Sequence, residues 1–170
     1  MKELEKKLKE SELNIIKSRQ TWQDLTKLLI ENKLNSIKDS LDLDLHVEIN
    51  DSTINHESII LAFNKVPSGL SYNPQDLFNI QEKKSGIIIK SDGYLAFSQI
   101  YNGNIIVWMA YPEVEEVIRQ DQIYKNLDTF PVKEINEEKI EKLVKEFLQE
   151  LINWNTRNNE RIPLGFKFSK

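Results

Sequence analysis

GIIIKSDGYLAFSQIYNGNIIVWMAYP, residues 86–112, carries two strong turn signals, Asp92-Gly93 and Asn102-Gly103. Both dipeptides favour φ > 0 at the centre of a two-residue type I′ turn, so the apolar runs on either side are predicted to fold back as hairpins. Such turns also set a register. Tyr101 would lie opposite Asn104, Phe97 opposite Trp108 and Ala96 opposite Met109, with Ile88 opposite Phe97 and Ile89 opposite Ala96. One face then holds Ile88, Leu95, Phe97, Ile106 and Trp108. The other holds Ile87, Ile89, Ala96, Ile100, Ile105, Val107 and Met109. Strands apolar on both faces need cover on both, which places this three-stranded meander in the middle of a sheet.

Working outward, residues 41–49 read LDLDLHVEI, a strict alternation that predicts a half-buried strand. The segment HESIILAFN, residues 56–64, follows a polar turn and predicts a second strand antiparallel to the first. Residues 65–85 hold two prolines and a glycine and form the longest irregular stretch, with a short helix expected at 74–80 behind Asn73. Beyond the meander, PEVEEVIRQ reads as a helix start and residues 121–135 as connecting chain. Asn136 then caps a helix whose Ile140, Leu143, Val144, Phe147, Leu148, Leu151 and Ile152 recur at helical spacing. A terminal strand is expected at 162–168.

Residues 2–33 contain no Gly or Pro and predict a long N-terminal helix. Leu4, Leu8, Ile15, Trp22, Leu25 and Leu29 follow a 4,3,4-type spacing, but Ser11 and Ser18 interrupt that seam. The second half, from Trp22 to Ile37, is apolar enough to pack on a domain. The first half is densely charged with little to bury, so it is expected to project or fray unless it meets a partner. The fold class that results is α+β: a single domain, with an antiparallel sheet of about five to six strands, the long N-terminal helix (1–35) and the C-terminal amphipathic helix packed on it, residues 36–170 forming the body.

Composition narrows the function. The 170 residues carry a net charge of -4, which argues against a nucleic-acid binder that must neutralise phosphates. No apolar run approaches the ~20 residues of a membrane helix and the N-terminus does not resemble a signal peptide, so no membrane association and a cytoplasmic location are expected. The absence of cysteine removes disulfides, thiolate nucleophiles and Cys-based zinc sites. None of the five glycines forms a phosphate-binding loop, and no cofactor is expected.

Three sets of residues remain as candidates. Asp42, Asp44, His46 and Glu48 share one strand face, which reads first as a solvated face and alternatively as a set of metal ligands, of which spacings of about 6.6–7 Å per two residues let one ion take at most two. His46 and His56 would meet if their strands pair in the right register. Tyr72, Tyr94, Tyr101 and Tyr111 would line a ligand pocket. Leu4, Leu8, Ile15 and Trp22 would contact a partner, either another protein or a second copy of the chain. The leading expectation is a non-enzymatic protein-binding protein of the chaperone, immunity, inhibitor or assembly-subunit type. The alternative is a small-molecule-binding enzyme or sensor with a pocket under the 65–85 loop.

Overall fold

The computed structural model describes residues 1–52, 56–72, 86–114 and 124–158. The chain begins with a helical rod made of α1 (Lys2–Thr21), a single π turn (Trp22–Thr26) and α2 (Lys27–Ser40). Strands β1 (Leu45–Asn50), β2 (Ser58–Phe63), β3 (Val66–Tyr72), β4 (Gly86–Ser91), β5 (Tyr94–Gln99), β6 (Asn104–Ala110), β7 (Glu113–Val114) and β8 (Tyr124–Pro131) follow, then α3 (Glu137–Asn158). Five strands form an antiparallel sheet in the order β1-β2-β5-β6-β8, and β3, β4 and β7 form a smaller one. This is a single α+β domain with a long N-terminal helix, a five-stranded antiparallel sheet and a C-terminal helix.

One core joins the large sheet to the helices. Trp22, Ile30 and Leu34 from the rod meet Ile59, Leu61, Leu95, Phe97, Ile105, Val107 and Met109 from the sheet, together with Ile140, Leu143, Val144, Phe147 and Leu151 from α3. Each fully buried side chain of this size contributes about 1.5–3 kcal/mol, so the stripe of α3 holds that helix firmly. Its entry is fixed by Asn136, whose side-chain oxygen accepts the Lys139 backbone N–H at 2.8 Å. Lys33 of α2 ties the two helices together through Glu137 and Glu141, at 3.4 and 3.5 Å.

The meander differs from expectation in two respects. Gly93 does adopt φ 96, but Asp92-Gly93 is a corner between sheets and does not close a hairpin. β5 spends its two edges on β2 and β6, with Ile59 opposite Phe97 and Leu61 opposite Leu95, which leaves β4 to pair with β3 and β7. The second turn does close a hairpin, but over three residues. The Ile100 N–H donates to the Asn104 carbonyl, the Gly103 N–H donates to the Ile100 carbonyl, and Gly103 sits at φ 82. The register is therefore one residue from that expected: Phe97 faces Val107, Leu95 faces Met109 and Ala96 faces Trp108. A one-residue slip exchanges faces, so Leu95 and Phe97 share the core with Ile105, Val107 and Met109.

Other elements shift as well. The first strand starts at Leu45, with Leu41 to Leu43 forming a bend ahead of it. Glu113 and Val114, expected to open a helix, are extended and pair with β4. Residues expected to be connecting chain include β8, which pairs along β6 and buries Phe130. The expected helix at 74–80 and strand at 162–168 lie outside the described residues.

In the rod, the seam spacing puts Leu25 on the inward row, but it is 68% exposed while Thr26 is 3% exposed. The cause is the π turn, where the Lys27 N–H donates to the Trp22 carbonyl five residues back. The inward row past this point is Thr26, Ile30 and Leu34.

Candidate functional site

α1 has no buried residue, and Leu4, Leu8 and Leu13 of its first three turns are all more than half exposed. These turns are held locally by ion pairs one turn apart: Glu3 with Lys7 at 2.9 Å, Glu5 with Lys9 at 2.7 Å and Lys6 with Glu10 at 3.8 Å. Such pairs stabilise a helix by about 0.2–0.5 kcal/mol each and cannot replace packing. Leu4 and Leu8 stand 64% and 62% exposed on the row that, further along, becomes half-buried Ile15 and fully buried Trp22. The core stripe of the rod thus continues past the sheet into solvent.

The base of this projection is clamped by the β5–β6 turn. A Cβ at Gly103 would fall 2.7 Å from Ser18 Cβ and 3.3 Å from the Ile15 carbonyl oxygen, so the glycine is needed both for its backbone angle and for close approach of α1. Arg19 Nη2 donates to the Tyr101 carbonyl oxygen at 2.7 Å, and its guanidinium lies 5.3 Å from the Tyr101 ring centroid. Beside this clamp a polar cleft of about 400 Å³ opens between Lys7, Ser11 and Asn14 of the helix and Asn102 and Asn104 of the turn.

Of the residues expected to meet a partner, Leu4 and Leu8 are free to do so and Ile15 is partly so. Trp22 is a correction: it is 0% exposed within the core of its own domain and presents no surface to a partner. The amphipathic seam was legible, but where the domain would cover it was not.

Asp42, Asp44, His46 and Glu48 do not lie on one strand face, because Asp42 and Asp44 precede β1. The Asp44 carboxylate accepts the Asn64 side-chain amide, His46 is half-buried opposite Ala62, and Glu48 is exposed opposite Ile60. Among the described residues no three His, Asp or Glu side chains converge as a metal site. His46 and His56 also stay apart, since the β1–β2 register puts His46 opposite Ala62 and has Asn50 opposite Ser58 at the strand's far end.

Tyr94, Tyr101 and Tyr111 do not converge. Tyr72 ends β3 in the small sheet, and exposed Tyr101 belongs to the β5–β6 turn. Tyr94 begins β5 at the opposite end of that hairpin, with its ring 5.3 Å from Trp108, which in turn lies 5.5 Å from Tyr124. Tyr111 stacks on Trp154 of α3 at 4.3 Å and donates to Glu150 Oε2 at 3.1 Å. A separate, mostly apolar cleft of about 470 Å³ lies between Leu43, Phe63, Pro112, Leu148 and Ile152.

Several polar residues with structural roles gave no signal in the sequence. Glu57 and Gln99 are buried side by side under the π turn, where the Gln99 N–H donates to the Glu57 carbonyl and Gln23 Nε2 donates to Glu57 Oε1 at 2.9 Å. Their proximity depends on the pairing of β2 with β5, which no local pattern encodes. No helix among the described residues is long and apolar enough to cross a membrane. No family model matches the chain, and no curated protein or solved structure matches it.

Proposed function

We propose that this is a non-enzymatic protein-binding protein whose docking element is the projecting front of α1. The observation that carries the reading is the exposure of Leu4 and Leu8 on the same row as buried Trp22. An isolated helical segment of this length is marginal in water, and an apolar row with no cover gains most when a second surface completes it. The partner is another protein or a second copy of the chain. A cytoplasmic protein that uses neither nucleic acid nor a cofactor fits the charge and motif pattern.

The test is a truncation placed where the tertiary contacts allow it. Removing residues 1–13 spares Ile15, Ser18 and Arg19, so the melting temperature should stay within about 4 °C of the parent while association is lost. Inserting one alanine between Ser11 and Glu12 turns Leu4 and Leu8 by about 100° and should cause the same loss. Inserting seven residues there returns the row to within about 20° of its direction and should restore association. A photo-crosslinker at Leu8, read in the native source, identifies the partner. Undiminished association of the truncated chain would sink the reading.

A second reading, a small-molecule sensor or enzyme, draws support from the apolar cleft beside Phe63, just ahead of the 65–85 segment. Thermal stabilisation by a metabolite, insensitive to removal of residues 1–13, would favour it over the first.

A further inference from the structure

We propose that the π turn is a one-residue phase insert: it aligns the row of α1 with the core row of α2 and so fixes the direction in which Leu4 and Leu8 face. Its consequence for docking rests on the function proposed above, whereas its geometry stands independently. In an unbroken α-helix advancing about 100° per residue, Trp22, which ends the row of Leu4, Leu8 and Ile15, would point about 80° away from Ile30. One inserted residue takes back about 100° and leaves the two within about 20° of each other. The burial follows this pattern, with Trp22, Thr26, Ile30 and Leu34 all facing the core at consecutive steps of four.

Neither row can be reached by an unbroken helix without loss. Continuing the α-helical phase of Trp22 into α2 would aim Lys33 and Ser36 at the sheet and draw Lys33 from Glu137 and Glu141. Continuing the phase of Ile30 back into α1 would swing Trp22 out of the core and carry Ser18 away from Gly103. Exposed Leu25 and buried Thr26 mark the residue at which one phase gives way to the other.

The experiment is a deletion series. Asp24 is exposed within the turn, and deleting it brings Trp22 and Ile30 one heptad apart, about two turns of an ordinary α-helix, so such a helix serves both rows. The melting temperature of that variant should lie within about 4 °C of the parent. Deleting Asn32, also exposed but inside α2, turns Leu34 and Ile37 by about 100° relative to Trp22, Thr26 and Ile30 and should lower it by more than about 10 °C or prevent folding. Because the chain has no cysteine, nitroxides can be placed at Leu8→Cys and Glu138→Cys. Their distance distribution should be the same with and without Asp24 and should shift when alanine is inserted between Ser11 and Glu12. The proposal is overturned if deleting Asp24 is as damaging as deleting Asn32, or if the variant folds with the label distance moved as far as the alanine insertion moves it.

Discussion

Residues 2–14 and residues 137–151 look alike in composition: both lack Gly and Pro, both are rich in Lys and Glu, and both contain Lys–Glu pairs one turn apart. Their positions in the molecule are opposite. The C-terminal stretch sets Ile140, Leu143, Val144, Phe147 and Leu151 into the core, and the N-terminal stretch buries nothing. The difference lies in the density of the apolar row. Five or six large side chains over four turns stabilise contact well beyond the entropy of ordering the helix, whereas Leu4 and Leu8 alone on their row do not. Helix propensity sets the local conformation in both, and apolar density decides which one is fixed to the sheet.

The sharpest way to break this comparison is to truncate one side chain on each helix. Phe147→Ala should cost about 3–5 kcal/mol, because it opens a cavity at a fully buried site, and Leu8→Ala should cost less than about 0.5 kcal/mol. Urea unfolding of the two variants measures both. Comparable losses would mean that the front of α1 is held by the domain after all.

A smaller effect is expected at the junction of the two regimes. Gly103→Ala forces a side chain into φ 82 and against Ser18, and should cost about 1–2 kcal/mol while speeding amide exchange over residues 15–19. Repeating it with Ser18→Gly should recover only the part due to close approach, which separates steric contact from backbone strain. No change in exchange would show that the turn does not clamp α1.

The least effect concerns the charged face of α3. The hydrogen bond and charge of Lys145, with further help from Lys33, hold the Glu141 carboxyl below its ordinary range. Its ionised form is therefore favoured by folding. The stabilisation is complete above the unfolded carboxylate value and is lost as pH falls through the lower folded value. Because the group is exposed, the effect should be slight and should fade in salt. Melting curves from pH 7 to pH 3 for the parent and Glu141→Gln should diverge least at the acid end; a constant offset across that range would remove Glu141 as a source of pH dependence.

The elements with one-sided local patterns were legible from the chain itself. Asn136 followed by an apolar row predicts α3 and its buried face, alternation before Ile49 predicts a half-buried strand, and the Gly-free N-terminus predicts the rod, because each pattern repeats at the period of a single element. Candidate contacts at Leu4 and Leu8 were legible for the same reason. What tertiary structure decided were relations between elements. Whether β4 or β2 lies beside β5 depends on which pairing buries Leu95 and Phe97 against Ile59 and Leu61, a comparison of two complete cores. Whether Asn102-Gly103 closes over two residues or three depends on matching Val107 and Met109 to that same core face. The π turn follows from a helix in which Trp22 and the row of Ile30 and Leu34 must face the same core, although an unbroken helix would hold Trp22 and Ile30 about 80° apart, a constraint imposed by the sheet beneath them.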